Sequence, residues 1–224
     1  ALEELLKAEK LMKQDYFVLH HIGLIYMKGS GTIDTLKAYD YFTNAAKYAE
    51  VESDPESVRI YNELDKSRNY NHKTIKLIAA ESFSWAAFAA YVNGNFSDAV
   101  ANQKKTVKYR NEPHDHFLLA KYYVRNNKVA EGVKSLSKSI EKDNIYATLV
   151  FKDLDLINEE KVRKYILKIN QNINEKINTL KGEYASIISE EVNSKYEKLG
   201  KLLNEQYHKK MNGHLVYVEY LKET

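Results

Sequence analysis

The sequence predicts an all-α fold of stacked helix pairs, and three observations favour it. Only 2 prolines and 8 glycines interrupt the 224 residues, which favours long helices over sheets. Hydrophobic residues make up 44% of the chain, enough for a packed core. A pattern of small and large residues also recurs with the same internal spacing. Recurrence at a fixed period of roughly 20–50 residues is typical of a helical solenoid.

The recurring pattern places small residues where two paired helices approach each other, with large residues beside them. The first copy is Ile22-Gly23-x2-Tyr26 with Ala38, Phe42 and Ala45. The second copy is Ala86-Ala87-x2-Ala90 with Gly94, Ala99 and Thr106. The third copy is Leu119-Ala120-x2-Tyr123 with Asn127, Gly132, Leu136 and Ser139. One helix pair cannot bury its apolar face alone, so neighbouring pairs must stack.

The apolar periodicity and the glycine, proline and asparagine breaks divide the chain into helices. We expect them at residues 1–14, 15–28, 34–51, 53–64, 74–92, 96–109, 114–125 and 129–142. Ala1, Leu5 and Ala8 have the spacing of the second helix of a repeat, so the chain is expected to begin within a repeat of a longer protein. A natural N-terminal cap is the alternative. Residues 146–157 are interpreted as a shortened last repeat.

Beyond the repeats, apolar residues recur at steps of three and four, which predicts a long helix over 158–210. They are Ile166, Ile169, Ile173, Ile177, Leu180, Tyr184, Ile188, Val192, Leu199 and Leu203. A fold-back at Gly182 or Gly200 would make this segment a hairpin instead. Residues 214–221 are rich in β-branched and aromatic residues, which favours a strand over a short helix. The predicted domains are 1–157, 158–211 and 212–224, the last as the start of a downstream domain.

Charge and composition argue against several classes of partner. The chain has 34 basic and 31 acidic residues with interleaved signs, so nucleic acid is not a predicted partner. It has no cysteine, which excludes disulfides and thiolate chemistry but assigns no compartment, although the cytoplasm is favoured. No apolar run approaches the ~20 residues of a membrane span, so no membrane contact is predicted.

These residues resemble the tetratricopeptide repeat family and, in the first copy, the Sel1-like repeat family. Leu19-x2-Ile22-Gly23-x2-Tyr26 is similar to the tetratricopeptide pattern W-x2-L-G-x2-Y, with leucine in place of tryptophan. The Sel1-like stretch comprises Gly23, Tyr26, Gly29-Ser30-Gly31, Asp34, Lys37-Ala38, Tyr41-Phe42 and Ala45-Ala46, with a loop one residue shorter than usual. The resemblance covers residues 1–157 with a gap at 52–73. It implies a superhelix that binds other proteins.

In such repeats the first helix of each pair lines a concave groove, which implies the residues that contact a peptide or partner protein here. They are His20, His21, Leu24, Lys28, Ser84, Trp85, Phe88, Tyr91, Val92, Phe117, Leu118, Lys121 and Arg125. Apolar anchors with a cationic rim suit a peptide that carries apolar and acidic residues. The alternative is that Trp85 and Phe88 are buried against the helix near residues 58–64. Only Lys121 and Arg125 are placed to hold a terminal carboxylate, so that family binding mode is not favoured.

No pattern predicts catalysis, a cofactor or a metal site. The histidines at 20–21 and at 114 and 116 lack the spacing of known metal motifs, so helix capping or surface exposure is expected. Asp153, Asp155, Glu159 and Glu160 lie near a helix start, where carboxylates stabilise exposed N–H groups. No P-loop, GxSxG or dinucleotide motif occurs.

The predicted function is therefore a non-catalytic scaffold or adaptor. Two other functions stay open. In the first, the repeats sense a peptide and the long helix signals to an effector domain that starts near Leu215. In the second, the stripe from Ile166 to Leu203 is the seam of a homodimer.

Overall fold

The computed structural model describes residues 1–64 and 71–187, and every regular element in this part of the chain is helical. The all-α prediction is therefore confirmed for the described residues. The helices are α1 (Leu2–Leu11), α2 (Tyr16–Lys28), α3 (Thr35–Glu52), α4 (Pro55–Leu64), α5 (His72–Val92), α6 (Phe96–Tyr109), α7 (Pro113–Arg125), α8 (Val129–Lys142), α9 (Ile145–Leu149), α10 (Leu154–Ile157) and α11 (Glu160–Ile187).

Local side-chain chemistry sets the helix ends. The Asp34 carboxylate accepts from the Lys37 backbone N–H at 3.0 Å and begins α3. The Asn95 side chain accepts from Asp98 N–H at 3.3 Å and begins α6. Gly94 has a φ of 76°, a left-handed conformation that glycine adopts without strain, and it ends the turn after α5. The limits of α6 and α8 are the predicted ones.

Some segments after α8 differ from the predicted structure. Others lie outside the residues that the structure describes. Residues 146–157 form no helix pair, because α9, a 3-10 turn at Val150–Lys152 and α10 divide them. The Asp153 side chain accepts from two backbone N–H groups, so the expected capping role is confirmed there. Helix α11 continues through Gly182, where a fold-back was one of the alternatives. Gly200, the predicted strand and the proposed effector domain lie outside the described residues.

The chain divides into two compact units, Ala1–Tyr146 and Ala147–Thr224. In the first unit, consecutive helices pack in chain order from α1 to α8, except that α4 contacts α3 only lightly. Helices α3 and α5 become neighbours as a result. In the second unit, Val162, Ile166 and Ile177 are already buried within the single chain. The domain limits at 157 and 211 and the dimer seam stay predictions.

Helix α5 bears on the expectation about membranes. It has 21 residues and is long and apolar enough to cross a membrane by length and composition. Half of its apolar window is buried inside the protein, which is also typical of a core helix. Lys73, Lys76 and Glu81 interrupt its apolar sequence, and the expectation of no membrane contact stays a prediction.

The predicted small-residue positions lie at close helix contacts. A Cβ atom built on Gly23 of α2 would lie 2.8 Å from the ring of Phe42 on α3. A Cβ atom on Gly132 of α8 would lie 3.0 Å from the Val124 side chain on α7. Ala38, Ala87, Ala99 and Ala120 are fully buried.

Candidate binding face

Helices α2, α5 and α7 lie side by side and present equivalent stripes of side chains. His20 Nδ1 and Ser82 Oγ lie 2.9 Å apart and join α2 to α5. The Tyr91 and Tyr122 ring centroids lie 5.3 Å apart and join α5 to α7. Residues spaced i, i+4, i+7 and i+11 share one helical face. We define the open face as Phe17, His21, Leu24 and Lys28 on α2; Glu81, Trp85, Phe88 and Val92 on α5; and His114, Leu118, Lys121 and Arg125 on α7.

The open face carries large apolar groups that reach solvent. The exposed fractions are 50% for Phe17, 39% for Phe88 and 48% for Val92. Leu24 and Leu118 are half-buried beside them. Clusters of exposed apolar side chains among polar ones are typical of surfaces that bind other molecules.

Trp85 belongs partly to the core and partly to the open face. Its ring stacks on Phe42 at 5.7 Å between centroids and meets the Phe88 ring edge-on at 6.0 Å. The Lys28 ammonium lies 4.1 Å above the indole centroid. Val58 of α4 packs instead into a different cluster, with Phe83. The partial burial of Trp85 thus arises from its packing on α3, and Val58 of α4 is not in the cluster that Trp85 packs against.

His20 and Phe117, which hold equivalent positions in the first and third copies, are core residues. Their exposed fractions are 8% and 7%. The His20 ring packs edge-on against Phe42, and burial lowers its pKa. The Phe117 ring packs on Tyr146 at 5.4 Å between centroids. A partner on the open face contacts their neighbours His21 and Leu118 more readily than these two side chains.

Two cations of the open face, Lys121 and Arg125, lie over aromatic rings that are not part of it. Lys121 Nζ is 4.9 Å from the centroid of the Tyr91 ring, and Arg125 Cζ is 4.7 Å from that of the Phe96 ring. A cation over an aromatic face is attracted by the ring quadrupole while it stays hydrated on its other side. Three cations therefore stand beside apolar surface, with Glu81 as the acidic member of the face. Ser84, also among the predicted contacts, is half-buried.

Phe17 is the main residue that the sequence prediction omitted. It lies one turn before His21, so the helical period that links His21, Leu24 and Lys28 also includes it. The tetratricopeptide pattern starts two residues later, at Leu19, and does not extend to this turn.

The histidines and acids do not gather into a chemical site. Within residues 1–64 and 71–187, no group of three or more His, Cys, Asp or Glu side chains is placed to hold a metal ion. His21 Nδ1 lies 2.7 Å from the Phe17 carbonyl oxygen, a local contact within α2. His116, predicted to be a surface or capping residue, is buried with 3% of its surface exposed.

Comparison with known proteins adds no assignment. No protein-family model matches the chain. No curated protein matches it either.

Proposed function

We propose that the first unit is a non-catalytic interaction module of the tetratricopeptide or Sel1-like type, which binds a peptide or partner protein on the open face. The observation that carries this proposal is the exposure of Phe88, Phe17 and Val92 on neighbouring helices, beside three cations. The exposed parts of these side chains make no contact in the fold that binding would break. Their transfer from water into an interface therefore favours binding. In this reading the helix pairs form a solenoid, and their packing in chain order supports it.

The charges of the open face define the partner's chemistry. Lys28, Lys121 and Arg125 outnumber Glu81. A ligand with apolar side chains for Phe88 and Val92, and a carboxylate for Lys28, complements both features. Lys28 and Arg125 also lie in the last turns of α2 and α7, where the helix dipole favours positive charge. They therefore stabilise the scaffold as well as the complex.

The test compares partners captured by the full chain and by two matched double variants. Phe88→Ala/Lys121→Glu removes an aromatic anchor and reverses a cation on the open face. Leu36→Ala/Lys47→Glu makes the same kinds of change at exposed positions of α3, where Leu36 is 67% exposed. The free energy of unfolding of both variants should lie within about 1 kcal/mol of the wild-type value, because the altered groups are in contact with solvent.

Tagged proteins would be incubated with extract from the native source, and bound proteins would be quantified by mass spectrometry. We expect at least one partner to be lost from Phe88→Ala/Lys121→Glu and retained by Leu36→Ala/Lys47→Glu. The proposal fails if the open-face variant captures the same proteins, in the same amounts, as the wild type.

A further inference from the structure

A second surface lies away from the α2 and α5 stripes, in a cleft between α6, α7 and α8. Its volume is about 450 Å³. Two lysines on α6 and two on α8, each pair four residues apart, form its walls. We define the lysine cleft by Lys104, Lys108, Lys134 and Lys138, with Val107, Leu119 and Tyr123 as its apolar floor.

The lining of this cleft has an excess of positive charge. Its lining contains four lysines and one glutamate, Glu131, a difference of +3. The whole chain has a formal net charge of +3, so the remaining residues are balanced overall. Lysines four residues apart on one helix repel each other. The arrangement thus costs stability unless an anion offsets it.

Within the described residues, none of the four ammonium groups has a carboxylate as an ion-pair partner. Lys104, Lys134 and Lys138 are all exposed. The Lys108 ammonium lies over the Tyr109 ring, 5.0 Å from the centroid. The neighbouring Lys105, by contrast, is paired with Glu50 at 2.8 Å. The cleft therefore keeps its cations available for an external anion.

The buried histidine at the cleft lies within the field of its lysines. His116 lines the cleft, and its Nε2 atom lies 2.7 Å from Asn111 Oδ1. Its Nδ1 atom is buried without a hydrogen-bond partner in the described structure. Burial and then the charges of Lys138 and Lys142 lower its pKa, against the opposing effect of Asp115. A neutral imidazole adds no charge of its own to the cleft.

The floor distinguishes between anions. Leu119 is buried, and Val107 and Tyr123 are half-buried, so the floor accepts an apolar side chain between the lysine rows. Among the described residues that line this cleft, Tyr123 is the only phenylalanine, tyrosine or tryptophan, and it also packs against the core. Non-specific binding of single-stranded nucleic acid relies on successive bases stacked on several aromatic rings. An acidic peptide with an apolar residue between its carboxylates fits both walls and floor.

We propose that the lysine cleft binds an acidic peptide segment of a partner protein, with an apolar side chain on the floor and carboxylates facing Lys104 and Lys134. The site does not depend on the function proposed for the open face. If both surfaces are occupied, the first unit connects two partners, which is how an adaptor operates.

The test is fluorescence anisotropy with the full chain and labelled peptides. The probe is the hexapeptide Glu-Glu-Leu-Phe-Glu-Glu. Its controls are Glu-Glu-Ser-Ser-Glu-Glu, which lacks the anchor, and Lys-Lys-Leu-Phe-Lys-Lys, which reverses the charge. We expect binding of the probe, weaker binding of the serine peptide and none of the basic peptide. Binding should also weaken as salt rises, because the ion pairs are exposed.

Two charge-matched variants locate the site. Lys104→Glu/Lys134→Glu should weaken probe binding roughly tenfold or more, since two ion pairs become repulsive contacts. Lys47→Glu/Lys73→Glu changes the net charge equally at exposed positions outside the cleft, and should leave affinity within about twofold of the wild type. Far-UV circular dichroism would verify that both variants fold. The NMR signals of the His116 ring should move when the probe binds.

Four outcomes would overturn the proposal. The first is equal loss of binding in both variants, which would mean attraction by overall charge. The second is equal binding of the basic peptide, and the third is no binding of the probe. The fourth is displacement of the probe by a deoxythymidine oligonucleotide that itself binds more tightly and loses affinity in Lys104→Glu/Lys134→Glu. That result would assign the cleft to nucleic acid.

Discussion

The helix pairs α2–α3 and α7–α8 achieve the same close approach with the glycine on opposite partners. In the first pair Gly23 lies on the first helix, and the aromatic ring of Phe42 fills the space that it leaves. In the second pair Gly132 lies on the second helix, against the Ala120 carbonyl oxygen and Val124. The comparison shows that a close contact requires one small residue at the crossing, on either helix.

The two pairs also differ in what their large residues touch. Phe42 stacks on Trp85 and meets the His20 ring edge-on, so it connects the core to the open face. Leu136 holds the equivalent position in α8 and is equally buried. It is aliphatic and makes no ring contact of this kind. The first pair therefore supports the open face directly, whereas the second serves mainly to pack its own helices.

The largest expected effect is the loss of these large residues. Phe42→Ala should lower the free energy of unfolding by about 3–5 kcal/mol, and Leu136→Ala by about 2–5 kcal/mol, because each leaves a cavity in a closed core. Urea denaturation followed by far-UV circular dichroism would measure both. Only Phe42→Ala should also shift the native fluorescence of Trp85, the single tryptophan. A comparable shift of Trp85 fluorescence in Leu136→Ala would show that both helix pairs, and not only α2–α3, affect the environment of Trp85.

A smaller effect is expected when each glycine gains a methyl group. Gly23→Ala places Cβ 2.8 Å from the buried Phe42 ring, so overpacking should cost about 1–3 kcal/mol. Gly132→Ala should cost less, since its Cβ would lie 3.0 Å from the Val124 side chain and 3.2 Å from the Ala120 carbonyl oxygen, whereas Gly23→Ala meets two Phe42 ring atoms below 3.0 Å. Alanine favours both helices by up to about 1 kcal/mol. Denaturation curves of both variants would test this order.

A double-mutant cycle tests the cause at Gly23. Phe42→Leu makes room for the new methyl group, so Gly23→Ala should be tolerated better in that background than in the wild type. Additive effects of the two changes would mean that the Phe42 ring is not what excludes a side chain at position 23.

The smallest expected effect is a dependence of the free energy of unfolding on pH. It arises from His20 in the first copy, whereas the equivalent residue of the third copy, Phe117, does not titrate. Burial lowers the pKa of His20 in the folded chain below its usual 6.5. The stabilisation it contributes is therefore complete above the unfolded-state pKa and is lost as pH falls through 6.5 towards the folded-state pKa. We expect the wild type to lose stability between about pH 7.5 and about pH 5.5.

His20→Gln isolates that contribution, because the amide keeps a hydrogen bond within reach of Ser82 and does not titrate. The pKa values of His114 and His116 are lowered as well, so the variant should retain part of the pH dependence. Urea denaturation of both proteins across this range provides the measurement. If the free energy of unfolding of His20→Gln changes with pH as steeply as that of the wild type, His20 does not contribute to the pH dependence.

Much of the helical framework could be predicted, but less of the site. The Asp34 and Asn95 caps and the Gly94 turn act over a few residues, so the sequence alone indicates where α3 and α6 begin. The resemblance to tetratricopeptide repeats implied Phe88 and Lys121 as contact residues, and both belong to the open face. The resemblance did not separate His21 from His20, because adjacent residues differ by only about 100° around a helix.

The sequence by itself determined the all-α class, the helix limits of α6 and α8 and the crossing positions Gly23 and Gly132, because backbone hydrogen bonds, caps and periodicity are local. Only the tertiary structure decided that His20 is buried, that Trp85 is half-exposed and that the lysine cleft exists. Each depends on how neighbouring helices are rotated about their axes. That rotation is set by contacts between residues far apart in the chain, such as His20 and Ser82.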